Sequence, residues 1–132
     1  MPPHIFPVRV YYEDTDFSGA VYHAGYLRFM ERGRTEMLRA LGVEQGATLA
    51  KFGFVVRAVT IEFLKPARMD DMLSIETTPV DVGGASMELA QRVLRGEVVL
   101  ATARVRVGCV ANGRAARMPA EVRGRLVASP AE

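Results

Sequence analysis

The feature that most constrains this chain is one change of period. From residue 24 to 41 the apolar positions recur at three- and four-residue steps: Tyr26, Met30, Gly33, Met37 and Leu41, with Leu27, Phe29 and Leu38 widening the stripe. Arg28, Arg32, Thr35 and Arg39 lie on the other side. From Phe54 onward the period is two, the signature of strands. At 1.5 Å per residue the helix would run about 27 Å, long for so small a chain, so it is the expected spine of the fold. Gly42 followed by apolar Val43 gives it a left-handed stop.

The remaining elements arrange themselves around that helix. Residues 8–12 are rich in β-branched and aromatic side chains and read as a first strand. Residues 13–19 are polar, with Ser18-Gly19 as a turn signal. A short second helix is expected over 44–52. Residues 54–64 read as a long strand whose two faces, Val55/Val59/Ile61/Phe63 and Val56/Ala58/Leu64, are both apolar. Pro66 then breaks the ladder. Strands follow over 73–80, 86–95 and 98–110, separated by Gly83-Gly84 and Gly96; the last sets Val99, Ala101, Ala103, Val105, Val107 and Cys109 against Thr102, Arg104 and Arg106. Asn112-Gly113 is a turn dipeptide, and Pro119 opens a short helix over 120–127. Four consecutive strands with short connections pair mostly antiparallel. The class is therefore α+β, one domain over 1–132, a sheet of about five strands with one long helix on one face. Apolar residues on both faces of 54–64 predict that an oligomer buries more of that strand.

Bulk properties exclude several function classes. With 132 residues, 49% hydrophobic and 24% charged, the chain is an ordinary globular one. A net charge of +2 gives no argument for nucleic acid, although a local basic rim can still meet a phosphorylated ligand. One cysteine, Cys109, allows no intramolecular disulfide, and its alternation with Val105 and Val107 makes it a small buried hydrophobe. The first seven residues lack the pattern of a secretory signal, and no stretch reaches the roughly 20 apolar residues of a membrane span. The expected location is the cytoplasm. His4, in a proline-rich start, is expected to be exposed.

The densest polar cluster is Glu13-Asp14-Thr15-Asp16, followed by Ser18, Gly19, Tyr22 and His23, between a strand end and a helix start. Its residues alone allow two readings, a capped helix start in a solvated loop or a catalytic loop. They lack the alternating oxygen ligands and closing Glu of a calcium loop, so no metal is expected, and no cofactor.

A resemblance narrows the choice. Val8-Arg9-Val10-Tyr11-Tyr12-Glu13-Asp14-Thr15-Asp16, then Gly19 and Val21-Tyr22-His23-Ala24-Gly25-Tyr26, resembles the signature of the 4-hydroxybenzoyl-CoA thioesterase family. Within it the chain is most similar to the acyl-CoA thioesterases associated with the Tol–Pal envelope system. Phe29-Met30-Glu31-Arg32-Gly33-Arg34-Thr35-Glu36, Phe54-Val55-Val56-Arg57 and Lys65-Pro66-Ala67-Arg68-Met69-Asp70-Asp71 continue the match, which fades after about Val110. Gly33 departs from the family's more frequent alanine, at a helix cost of about 1 kcal/mol. Ser18 stands at a position that is frequently glycine. The resemblance implies a hot-dog fold, a sheet wrapped around the long helix, with active sites at a homodimer interface and dimers that often pair into tetramers. It places the family's catalytic aspartate on Asp16 and implies an acyl-CoA substrate.

The chemistry agrees with that assignment. Thioester hydrolysis needs an activated water or a carboxylate nucleophile, and Asp16 suits either role. Backbone N–H groups at the helix start, near Tyr22, His23 and Ala24, can act as an oxyanion hole, and His23 either adds a hydrogen bond or packs at the helix start. Tyr22 and Tyr26 are candidates for shaping the acyl pocket, and Glu31 for lining it. Lys65 and Arg68 are candidates for meeting CoA phosphates, with Arg57, Arg104 and Arg106 as alternatives. The competing functions are a non-catalytic acyl-CoA or acyl-carrier binding protein and a hot-dog dehydratase or hydratase.

Overall fold

The structure is a computed structural model and describes residues 2–48 and 51–128. Five long strands form one antiparallel sheet: β1 (His4–Arg9), β2 (Gly53–Phe63), β3 (Met72–Val82), β4 (Ser86–Arg95) and β5 (Val98–Ala111). Their spatial order is β1-β3-β4-β5-β2, and a two-residue β6 (Arg114–Ala115) folds back on β5. The long helix α1 (His23–Ala40) lies on one face of this sheet. The predicted α+β class and the sheet wrapped on one helix are both observed, and this is the hot-dog arrangement the resemblance implied.

The first strand lies earlier than residues 8–12, because Pro7 is tolerated on a sheet edge and β1 pairs with β3 alone. It ends where the Tyr11 N–H is taken by the Asp14 carboxylate and a 3₁₀ turn begins at Tyr12. His4 is not freely exposed. It pairs opposite Thr77, on the same side as core residue Val8, and its Nδ1 is buried without a hydrogen-bond partner among the described residues. The predicted helix over 44–52 is observed as the four-residue α2 (Gln45–Thr48), and residues 49–50 lie outside the described residues. The terminal helix α3 (Ala120–Ala128) matches its expected range within one residue.

Burial explains α1. Tyr26, Phe29, Met30, Gly33, Met37 and Leu38 are buried against a sheet face that carries Leu73, Ile75, Leu89, Val93, Ala101 and Val105. Each large side chain so buried contributes about 1.5–3 kcal/mol. Gly42, at φ +87°, ends the helix: its N–H donates to Arg39 O and that of Val43 to Leu38 O, a left-handed stop with buried Val43 as its apolar contact. Leu27 does not belong to the buried stripe. It is 44% exposed and faces a side cleft with Val56 and Val59.

Gly33 has a reason that helix propensity does not show. A β-carbon there would sit 2.7 Å from Ile75 Cγ2, 3.2 Å from Thr77 Oγ1 and 3.4 Å from Gln91 Nε2. The helix therefore lies close against the sheet at this glycine. Beside it, buried Gln91 donates to Met30 O and Thr77 Oγ1 and accepts from Arg34, so its amide is fully engaged.

β2 forms the edge of the sheet opposite β1. A bulge between Val56 and Ala58 shifts its phase, so that Phe54, Val56, Val59, Ile61 and Phe63 pair opposite the core-facing residues of β5. This corrects the faces expected from alternation, which grouped Val55 with Val59. Val55, Val56, Val59, Phe63 and Leu64 are all exposed along this edge.

Candidate active site

The loop that carries the acidic cluster is folded by its own polar groups. Asp14 is buried; its carboxylate accepts the Tyr11 N–H at 2.8 Å, and its carbonyl accepts the Tyr22 N–H at 3.2 Å. Asp14 therefore holds the loop and caps the 3₁₀ turn, whereas Tyr22, the N-cap of α1, gives that helix no side-chain cap. Asp16 is the opposite case. It is exposed, and its Oδ1 accepts from Ser18 N at 2.8 Å and Ser18 Oγ at 2.5 Å. These bonds, the hydroxyl's first, hold the Asp16 carboxyl below its ordinary value, and nearby His23 adds a smaller push in the same direction.

The turn after β2 straps this loop in place. Val21 N donates to Ala67 O, Met69 N to Gly19 O, and Ala20 and Arg68 form an isolated bridge. The turn itself is closed by Asp71, which accepts from Arg68 N at 2.9 Å and pairs with Arg95 at 2.8 Å. Buried Tyr26 joins it from the helix, its hydroxyl accepting the Ala67 N–H at 2.9 Å. Phe63 is wedged between rings, 5.0 Å from that of His23 and 5.2 Å from that of Tyr26, both edge-on.

Between loop, helix start and turn lies an open cleft of about 300 Å³. Asp16, Tyr22, His23, Tyr26 and Lys65 of the expected site residues line it, joined by Phe63, Leu64 and Pro66. The last three escaped the sequence reading. The signal for Phe63 was its position as the last aromatic residue before the Lys65-Pro66 break. Among the described residues no acceptor outside the helix meets the N–H groups of His23 and Ala24, so the α1 N-terminus offers two donors beside the cleft. A carboxylate with one oxygen tied and the other without a partner, next to free N–H donors, can activate a nucleophile and stabilise an oxyanion.

Three expected residues lie elsewhere. Glu31 lines a second cleft of about 80 Å³, together with Arg34, Leu38, Phe54 and Val56. Arg57 falls in the β2 bulge and lies across Gly108, whose missing side chain makes room; a β-carbon there would sit 2.8 Å from Arg57 Nε. Arg68 is exposed and contributes its backbone to the strap. Cys109 is buried, and burial raises its thiol, so it is not poised as a nucleophile. Among the described residues no group of three His, Cys, Asp or Glu side chains is placed to hold a metal, and no helix is long and apolar enough to cross a membrane.

Similarity to known proteins covers both the loop and the sheet. The chain is 47% identical over 111 residues to an acyl-CoA thioesterase YbgC of Haemophilus influenzae, spanning 83% of this chain and 82% of that protein. To an acyl-CoA thioester hydrolase YbgC of Escherichia coli O157:H7 it is 50% identical over 107 residues, 80% of each. The crystal structure of a probable thioesterase from Bartonella henselae superposes with a TM-score of 0.86 at 41% identity, covering 89% of this chain and 99% of that one. The family model described as the thioesterase-like superfamily matches residues 10–126. That span runs from the end of the first strand to the last helix, and the chain belongs to this superfamily.

Proposed function

We propose that the protein hydrolyses a small to medium acyl-CoA to free acid and CoA, with Asp16 as general base. The observation that carries the reading is the shared cleft: Asp16 and His23, the first residue of α1, line one space, and among the described residues no acceptor outside the helix takes the His23 and Ala24 N–H groups. Asp16 Oδ2 takes a proton from water as the oxygen attacks the thioester carbon. The N–H groups of His23 and Ala24 stabilise the oxyanion, with the His23 ring beside them. Collapse breaks the C–S bond, and the proton held by Asp16 passes to the departing thiolate. Tyr22, Tyr26 and Phe63 wall the cleft with Lys65, and Arg68, on the neighbouring turn, joins Lys65 in meeting the CoA phosphates. The YbgC relatives, named as acyl-CoA hydrolases, support the substrate class.

The active unit is a homodimer, in which two β2 edges meet and cover Val55, Val56, Val59 and Phe63. A bare apolar strand edge invites such pairing, and Glu31 and Arg57, away from the Asp16 cleft of their own chain, lie on or beside that edge. Pairing into tetramers and a link to the Tol–Pal system rest on the resemblance alone, and a cytoplasmic location rests on the sequence.

Thiol release from a panel of acyl-CoAs tests the activity, and sedimentation at micromolar concentration tests the assembly. Tight CoA binding without turnover would instead indicate a binding protein. Loss of enoyl absorbance without thiol release would indicate a hydratase. A monomeric mass would refute the dimer.

A further inference from the structure

We propose that Ser18 is a positioning residue for Asp16, its hydroxyl fixing one carboxylate oxygen so that the other faces the reaction. This rests on the assignment of Asp16 as base and deepens it. The Ser18 Oγ accepts from Ala20 N at 3.4 Å and donates to Asp16 Oδ1, so the hydroxyl is oriented from both sides. Ser18 N donates to the same oxygen. The loop is closed besides by Asp16 N donating to Ala20 O and Gly19 N to Asp16 O, both at 3.0 Å, with Gly19 at φ +84°. Asp16 Oδ2 has no hydrogen-bond partner among the described residues. An exposed aspartate is otherwise free to rotate, and the backbone bond alone would remain if the residue were glycine or alanine. The serine at this position therefore gives this chain a second tether on its reactive side chain.

Two effects of removing the hydroxyl oppose each other. Losing a hydrogen bond to the ionised form makes the carboxylate more basic, which raises the rate of proton abstraction by a factor of about 2 to 3. Losing the orientation costs more, since misplacement of a reacting group by 1 Å can cost about a hundredfold. Orientation wins, for a net loss of about five- to tenfold. The other titratable groups around Asp16 are His23 and Tyr22 at the start of α1, Lys65 in the same cleft, Arg68 on the turn, and Asp14 in the loop, and of these His23 lowers the Asp16 carboxyl.

The test compares wild type, Ser18→Ala and Ser18→Thr by carbon-13 NMR titration of the Asp16 carboxyl and by kcat and KM with an acyl-CoA at neutral pH. Ser18→Ala should raise the Asp16 pKa, lower kcat about five- to tenfold and leave KM within about twofold. Ser18→Thr, which keeps the hydroxyl, should restore both. An unshifted titration, or an unchanged kcat in Ser18→Ala, overturns the proposal. The titration reads Ser18 independently of turnover, whereas full activity in Asp16→Asn would sink the base assignment instead.

Discussion

Replacing Gly33 by alanine sets two physical effects against each other with opposite signs. Helix propensity alone predicts stabilisation by about 1 kcal/mol, because glycine is the poorest ordinary residue inside a helix. Packing predicts the reverse. The new β-carbon would lie 2.7 Å from Ile75 Cγ2, against a comfortable carbon separation of about 3.5–4.0 Å, so something must move by about 1 Å. Ile75 is fully buried and its branch methyl is held by a stiff side-chain torsion. Thr77 Oγ1 at 3.2 Å and Gln91 Nε2 at 3.4 Å are bonded to each other, so they cannot withdraw without straining that bond. Overpacking costs about 1–3 kcal/mol, and weakening one buried hydrogen bond adds about 1 kcal/mol. The net expectation is a loss of about 1–3 kcal/mol, or a melting temperature lower by several degrees for a chain of this size. Thermal and urea unfolding of Gly33→Ala at fixed protein concentration measure it. A double-mutant cycle with Ile75→Leu, which removes the branch methyl, should recover part of the loss. A higher melting temperature in Gly33→Ala would refute the close-approach argument and leave only propensity.

Further perturbations probe the frame of the cleft. Tyr26→Phe leaves the buried Ala67 N–H without its acceptor and should cost about 1–3 kcal/mol in chemical unfolding; an unchanged unfolding midpoint would show that the strap does not depend on the hydroxyl. Burial pushes the Asp71 carboxyl up, but the Arg68 N–H and the Arg95 guanidinium outweigh it and hold it below its ordinary 3.8. Its contribution to stability is thus fully present above 3.8 and lost as pH falls through the lower folded value. Asp71→Asn should cost about 1 kcal/mol at pH 7, and the gap to wild type should close below pH 3.8; a gap that widens on acidification would reverse the sign.

What the sequence disclosed follows from which signals are periodic. The α1 stripe, the antiparallel strand run and the Gly42 stop are repeated or local patterns, and all appear in the structure. The β2 bulge is neither. It adds one residue to a strand apolar on both sides, so alternation could not register the change of face after Val56. Leu27 fits the helical spacing yet faces the side cleft, because a stripe of that width wraps beyond what one sheet face can cover. In the site, Asp16 and His23 are close in sequence and readable together. Phe63, Leu64 and Pro66 join them only through long-range pairing, which composition does not reveal. The separate tasks of Asp14 and Asp16 were likewise hidden, since one carboxylate turns inward to the Tyr11 N–H and the other outward to Ser18.

On the proposed reading Asp16 carries the chemistry while Asp14 only holds the loop. It is tested most directly by kcat/KM of Asp16→Asn for an acyl-CoA that the wild type hydrolyses, measured as thiol release at neutral pH. A fall of about 10²–10⁴-fold is expected, with the unfolding midpoint unchanged because Asp16 is exposed. A kcat/KM within a fewfold of wild type in folded Asp16→Asn would contradict it.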